Sequence, residues 1–331
     1  MARFDVGGQA VIEGVMMRSP RSFAVVCRRP SGEIVIKEAA WQPLWAGLRF
    51  LRWPFLRGSV MLVESMMNGL AALSFAARQQ TIAADAALPP RSLGARANGE
   101  EMSDGATWVM MAVSIAFGLG LFVGVPHLLT WALGFDSKSF AFHMVDGVIK
   151  VALLVGYMAA ISLLPDIKRV FQYHGAEHKA IATYEAGLPL TVANARAQSR
   201  FHPRCGTSFL LIVVGVSVVL FAVLLRGTIS DVPVIDNVVK ILLKLPLMLP
   251  VAALGYELLK VSGKLYDKSS LARTVAAPGL ALQRITTREP TDDQLEIALL
   301  SIRKTLWREG QAQPIAGDDL CVYRTAAEID F

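Results

Sequence analysis

Residues 174–178 read His-Gly-Ala-Glu-His. Two imidazoles four residues apart on a helix stack on one face, roughly 6 Å apart at Cβ, so one divalent ion can bind both. Glu177 then stands beside a metal-bound water as its general base, which is the logic of the inverted zinc-protease pattern H-x-x-E-H. Three of the five histidines, His174, His178 and His202, fall in one stretch together with Cys205. The run His202-Pro-Arg-Cys205 sets an imidazole and a thiol three residues apart. His174, His178, His202 and Cys205 are therefore donors for a closed tetrahedral zinc site. A catalytic site needs three protein ligands and an open water position; there, His202 or Glu257 completes the set. Exposed imidazoles without metal are the plain alternative, and for Glu257 the alternative is snorkelling or pairing with Lys260. Asp166 is either a helix cap or a group that orients a histidine. Tyr173 and Tyr184 flank the motif, where they serve a substrate or simply an interface.

What must hold these residues is a membrane-type chain. Of 331 residues, 53% are hydrophobic and 18% charged, against about 25% charged in ordinary soluble domains. Four stretches, 107–133, 143–164, 208–225 and 238–261, approach the roughly 20 apolar residues that cross a bilayer as a helix. The links between the first and second and between the third and fourth are poor in Lys and Arg. The 165–207 loop carries Lys168, Arg169, Lys179, Arg196, Arg200 and Arg204, and Lys260, Lys264, Lys268 and Arg273 surround the end of the last span. The positive-inside rule puts these segments and both termini on the cytoplasmic side of the membrane. His127 and His143 then fall on the other side and are not ligands. The net charge of +6 suits anionic lipid head groups, so membrane lipids are the expected partners and nucleic acid is set aside. Cys27, Cys205 and Cys321 are odd in number and far apart, which argues against a disulfide framework.

The fold expected is mainly α: a polytopic integral membrane protein with about four transmembrane helices, a small N-terminal β-hairpin region and a cytosolic C-terminal helix. Residues 1–40 hold the hairpin, with strands at 23–27 and 33–37 around Arg-Arg-Pro-Ser-Gly. Residues 41–80 form an interfacial amphipathic segment rich in Trp and Arg, 60–77 being re-entrant or a fifth span as the alternatives. Residues 81–106 are a linker, 107–164 the first two spans, 165–207 the cytosolic His-rich loop, 208–261 the last two spans and 262–331 a cytosolic tail. In that tail Thr291 caps a helix to about Trp307, with Leu295, Ile297, Ala298, Leu299, Ile302 and Leu306 on its apolar face. The run Gly7-Gly8-Gln-Ala-Val-Ile-Glu13-Gly14 lacks the spacing of a nucleotide fingerprint; its glycines permit tight turns or close approach. Glu13 and Arg18 reach the site from the side or pair with each other.

The stretches 7–18, 57–65, 173–179, 202–209, 278–280 and 286–290 make the chain similar to the YqhQ-like family of bacterial membrane proteins, of unknown function and labelled predicted metal-dependent enzymes. The resemblance covers nearly all of the chain except the linker. It implies a divalent metal, most simply zinc, at the positions that match the family motifs: His174, Glu177, His178, His202 and Cys205. The leading expectation is a metal-dependent hydrolase with Glu177 as base. The alternatives are a scaffold or transporter subunit with a structural zinc site, in which Asp146, Lys150 and Glu257 gain weight, and an interaction module without metal.

Overall fold

The computed structural model of the chain describes residues 4–41, 53, 56–86, 104–311 and 319–329. Residues 42–52 of the aromatic and basic run, and 87–103 of the linker, lie outside them. The described residues are mainly helical, with an antiparallel sheet at the N-terminal end.

Period-two alternation of apolar residues builds a sheet with two usable faces. Strands β1 (Gly7–Val11), β2 (Gly14–Arg18), β3 (Ser22–Arg28) and β4 (Ile34–Ala40) form a meander, and β5 (Asp319–Tyr323), from the far end of the chain, pairs antiparallel with β4. The expected hairpin is β3 and β4, whose turn holds Gly32 at φ 90; β1, β2 and β5 extend it to five strands. Gly14 is needed where it stands, since a Cβ there would lie 2.7 Å from Cys27 Cβ.

One sheet face presents Val15, Met17, Val26, Ile34 and Ile36 to two helices, α5 (Pro165–Ala186) and α10 (Asp292–Glu309). The 165–207 stretch is thus largely helix rather than loop. Thr291 and Gln294 form a capping box at the start of α10, each satisfying a backbone N–H that the first turn leaves open. The other sheet face presents Val11, Met16, Val25, Cys27 and Val35, and Ala72 and Ala76 of helix α1 (Arg57–Ala86) pack on it.

Among the described residues, five helices are long and apolar enough to cross a membrane, within 57–81, 112–132, 140–161, 206–224 and 233–265. The first is α1, beyond the four spans expected. The second comprises α2 (Asp104–Leu119), a π turn and α3 (Val125–Ala132); the others are α4 (Phe140–Ile161), α7 (Gly206–Leu224) and α8 (Pro233–Leu265). Residues such as Phe117, Val148 and Val219 stand exposed on the outside of this bundle, the inverse of a soluble core and suited to lipid. Short α6 (Val192–Arg196) follows α5, and α9 (Ser270–Thr286) packs on α7 and α8. At that contact Gly279 lets α9 close on Ser208.

Candidate metal centre

The centre lies where the sheet domain meets the bundle. Helix α5 supplies His174 and His178 on one face, their rings 4.5 Å apart. The segment before α7 supplies Cys205, whose sulfur caps that helix, 3.5 Å from Thr207 N. His174 Nε2 is 3.3 Å from Cys205 Sγ. Donor atoms of His174, His178 and Cys205 all lie within 4.8 Å of one another, with His178 and Cys205 buried and His174 partly so.

The other ring nitrogens decide what these histidines can do. His174 Nδ1 is 2.8 Å from the carbonyl of Thr286, and His178 Nδ1 is 2.5 Å from that of Arg200. A carbonyl only accepts, so each Nδ1 carries the proton and donates it, which leaves each Nε2 with a lone pair. This is the outer hydrogen bonding that metal-binding histidines use to fix tautomer and ring orientation. Burial holds His178 below the ordinary imidazole range, against the pull of the Cys205 hydrogen bond, so the ring stays in the neutral form a metal requires.

The carbonyls are held in turn by the 283–290 segment. Gln283 brackets His202, accepting from its N–H at 2.9 Å and donating to its carbonyl at 2.9 Å. Arg200 donates to Thr287 O at 2.6 Å, and Arg288 N donates to Phe171 O at 2.8 Å. Gly175 admits the Arg288 carbonyl against α5 where any side chain would block it. The glycine of the motif and the Thr-Thr-Arg-Glu-Pro run at 286–290 are two sides of one contact.

Two expected ligands stand apart. His202 packs beside His178 with ring centroids 5.7 Å apart, but its Nε2 is 3.2 Å from Glu185 Oε2 and its Nδ1 accepts from Arg204 N at 3.4 Å. Both nitrogens are engaged, so His202 is outside the donor group. Glu257 makes a two-pronged pair with Arg57, both contacts at 2.6 Å, rather than turning to the centre or to Lys260. The partner is 200 residues away in sequence, and a short-range reading has no means of finding it. Asp166 sits in the first turn of α5, where a carboxylate complements the helix dipole. Tyr173 donates to Glu13 at 3.4 Å and Tyr184 Oη accepts from Phe4 N at 2.9 Å, so both serve packing.

Glu177 is buried beneath β1. Burial raises its carboxyl above the ordinary range, an effect that His174 and His202 oppose only when protonated. Gly8 lies directly over it, and a Cβ there would come 2.7 Å from Glu177 Cγ; this glycine serves close approach. Glu13, at φ 51 in the β1–β2 turn, pairs with Arg169, and Arg18 stacks over Trp41 at 4.7 Å. Glu13 and Arg18 do not pair with each other.

A sheet domain joined to a bundle of long apolar helices, with a His-His-Cys group at the junction, defines a class of membrane-type protein. Residues 53–308 match the family model described as "Protein of unknown function (DUF1385)". The chain is also 33% identical over 315 residues to "Uncharacterized protein YqhQ" of Bacillus subtilis (strain 168), which covers 93% of this chain and 94% of that one. The protein belongs to this family. No solved structure matches it.

Proposed function

We propose that the protein is a membrane-embedded, metal-dependent hydrolase with a three-ligand centre, most simply zinc, formed by His174, His178 and Cys205. The observation that carries the reading is the pair of Nδ1 contacts to Thr286 O and Arg200 O, which turns both Nε2 lone pairs toward the thiol. Three nitrogen or sulfur donors with a free fourth position are the catalytic pattern, whereas structural zinc sites are closed by four. The engagement of His202 by Glu185 and Arg204 supports the open form. A metal held by His174, His178 and Cys205 would supply Lewis acidity, lowering the pKa of a bound water and polarising a substrate carbonyl or phosphoryl group. The chain's own part is to keep both imidazoles neutral, to limit bulk water through burial, and to hold Glu177 as the group that takes and returns a proton. Substrate reaches the centre along the partly exposed His174 edge at the membrane surface.

A second reading, a structural metal clamp in a scaffold or transporter subunit, draws support from the burial of Glu177 under Gly8. Metal content and activity separate the two. Elemental analysis of purified protein is expected to give one zinc per chain, lost in His174→Ala, His178→Ala and Cys205→Ser and kept in His202→Ala and Glu257→Gln. Incubation with a whole membrane extract, followed by mass spectrometry, is expected to show one compound class consumed by the wild type and untouched by Glu177→Gln. Metal without consumption supports the clamp; no metal overturns both.

A further inference from the structure

At the end of the bundle away from the His-Cys group, a second polar cluster lies buried between α3, α4 and α8. On α8, Asp236, Asn237, Lys240 and Lys244 share one face and span about 12 Å along the helix. On α4, His143, Asp146 and Lys150 face them, and α3 adds His127. The contacts form a chain. Lys240 Nζ lies 2.8 Å from Asp236 Oδ2 and 2.9 Å from Ser137 Oγ. His127 Nε2 meets Asn237 Oδ1 at 2.9 Å, and its Nδ1 meets Lys244 Nζ at 2.9 Å. Lys244 then reaches Asp146 Oδ2 at 3.3 Å, an oxygen that Lys150 Nζ also holds at 2.5 Å. Helix α7 contributes the Phe221 ring, 5.5 Å from both Lys150 and Lys244.

Three observations suggest a use. First, three lysines, Lys150, Lys240 and Lys244, face two aspartates, Asp146 and Asp236, so a surplus cation is buried among apolar helices. Such a surplus is costly unless it is compensated or loses a proton. Second, both ring nitrogens of His143 and Oδ1 of Asp146 are buried without a hydrogen-bond partner, and the two residues are each 1% exposed. Buried polar atoms of this kind call for water. Third, a cavity of about 430 Å³ opens at the loop end of the bundle. Its lining includes Ser137, Asp236 and Asn237, the outer links of the chain, and its mouth carries Asp136 and Asp231 against Lys138. An acidic mouth draws protons and repels anions.

We propose that this cluster is a water-fed proton-binding site, entered from the loop-end cavity and centred on Asp146, His143, Lys150 and Lys244. A proton arrives from cavity water on a ring nitrogen of His143 or on Asp146 Oδ1 and returns to water by the same route, so no other reactant is needed. The surplus lysine charge keeps the site from being saturated, and the His127–Asn237 and Lys240–Asp236 links tie its state to the cavity wall.

The test uses full-length protein labelled with ¹⁵N-histidine in nanodiscs of phosphatidylethanolamine and phosphatidylglycerol. Five histidines are few enough to assign by single replacement, with His127→Gln and His143→Gln identifying the two in the bundle. The His143 signals are expected to titrate as bulk pH falls from about 7 to about 3. Asp146→Asn is expected to displace the midpoint and Asp146→Glu to restore it; Lys150→Met provides a second displacement should Asp146→Asn not fold. Signals that ignore pH would overturn the proposal. So would signals that follow chloride or phosphate at constant pH, since the surplus charge would then serve an anion.

Discussion

Gly8 has no side chain because Glu177 fills the space where one would stand. A Cβ at position 8 would also lie 2.8 Å from Glu177 Oε1 and from Met17 Sδ. Gly8→Ala is therefore expected to cost about 1–3 kcal/mol through overpacking and to abolish turnover while the zinc stays bound, as thermal unfolding and elemental analysis would show. Glu177 itself strains the fold. A carboxyl whose folded pKa is raised is tolerated below its unfolded value of about 4.3, and stability is lost as pH rises through the folded value. Metal-free Glu177→Gln should lack that decline, so its melting temperature should exceed the wild type's increasingly toward alkaline pH. A wild type with no such decline would show the carboxylate to be compensated. At this scale the sequence is legible in part. The i, i+4 spacing of His174 and His178 conveys a shared face, and the density of donors at 202–205 brings in Cys205. The carbonyls of Thr286 and Arg200, which set the tautomers, leave no trace in residue type because every residue has a carbonyl.

Elements read more easily where their signals are local. The Thr291 cap and the apolar run that follows it convey a helix, and α10 ends only two residues beyond the expected Trp307. The β1–β2 hairpin hides because its turn, Ile12-Glu13, has neither Gly nor Asn; Glu13 takes the left-handed conformation at φ 51 under tertiary contacts from Arg169 and Tyr173. Tertiary contacts also fix the far end of α10. Glu309 accepts from Ser19 Oγ at 2.6 Å and from Arg21 N and Nε at 2.9 and 3.0 Å, clipping the helix to the β2–β3 turn. Burial pushes that carboxyl up, but the Ser19 and Arg21 bonds outweigh it and hold it below the usual range. Stability from this group is therefore present above about pH 4.3 and lost as pH falls through the folded value. Glu309→Gln is expected to cost about 1.5–3 kcal/mol at neutral pH and to flatten the acid side of the stability profile, measurable by thermal unfolding in detergent. An unchanged acid limb would assign that loss to other carboxylates.

The whole molecule constrains its own topology through the sheet. Strands β4 and β5 come from opposite ends of the chain, yet Val35 pairs with Val322 and Ile36 with Cys321. If the bundle spans a bilayer, the chain between them crosses an even number of times, because both strands must finish on the same side. Among the described residues five helices are long enough, an odd number, so either one of them does not cross or a further helix does. The geometry makes α1 the candidate for the helix that does not cross. Its second half lies along the sheet, where Ala72 and Ala76 pack and Gln79 accepts from Arg29 at 2.6 Å. Its first turn joins α8 through Arg57 and Glu257, leaving Met66, Met67 and Leu70 exposed on the opposite face. A helix that spends half its length on the sheet and turns an apolar stripe outward suits the bilayer surface better than its interior. A reporter domain inserted after Ala86 is therefore expected on the same side as reporters at either terminus, and one inserted between Gly134 and Ser139 on the other. If the Ala86 reporter instead lies opposite the N-terminal reporter, with the 134–139 reporter back on the N-terminal side, α1 crosses, and the β4–β5 pairing would then require a sixth crossing, for which α9 is the next helix in line.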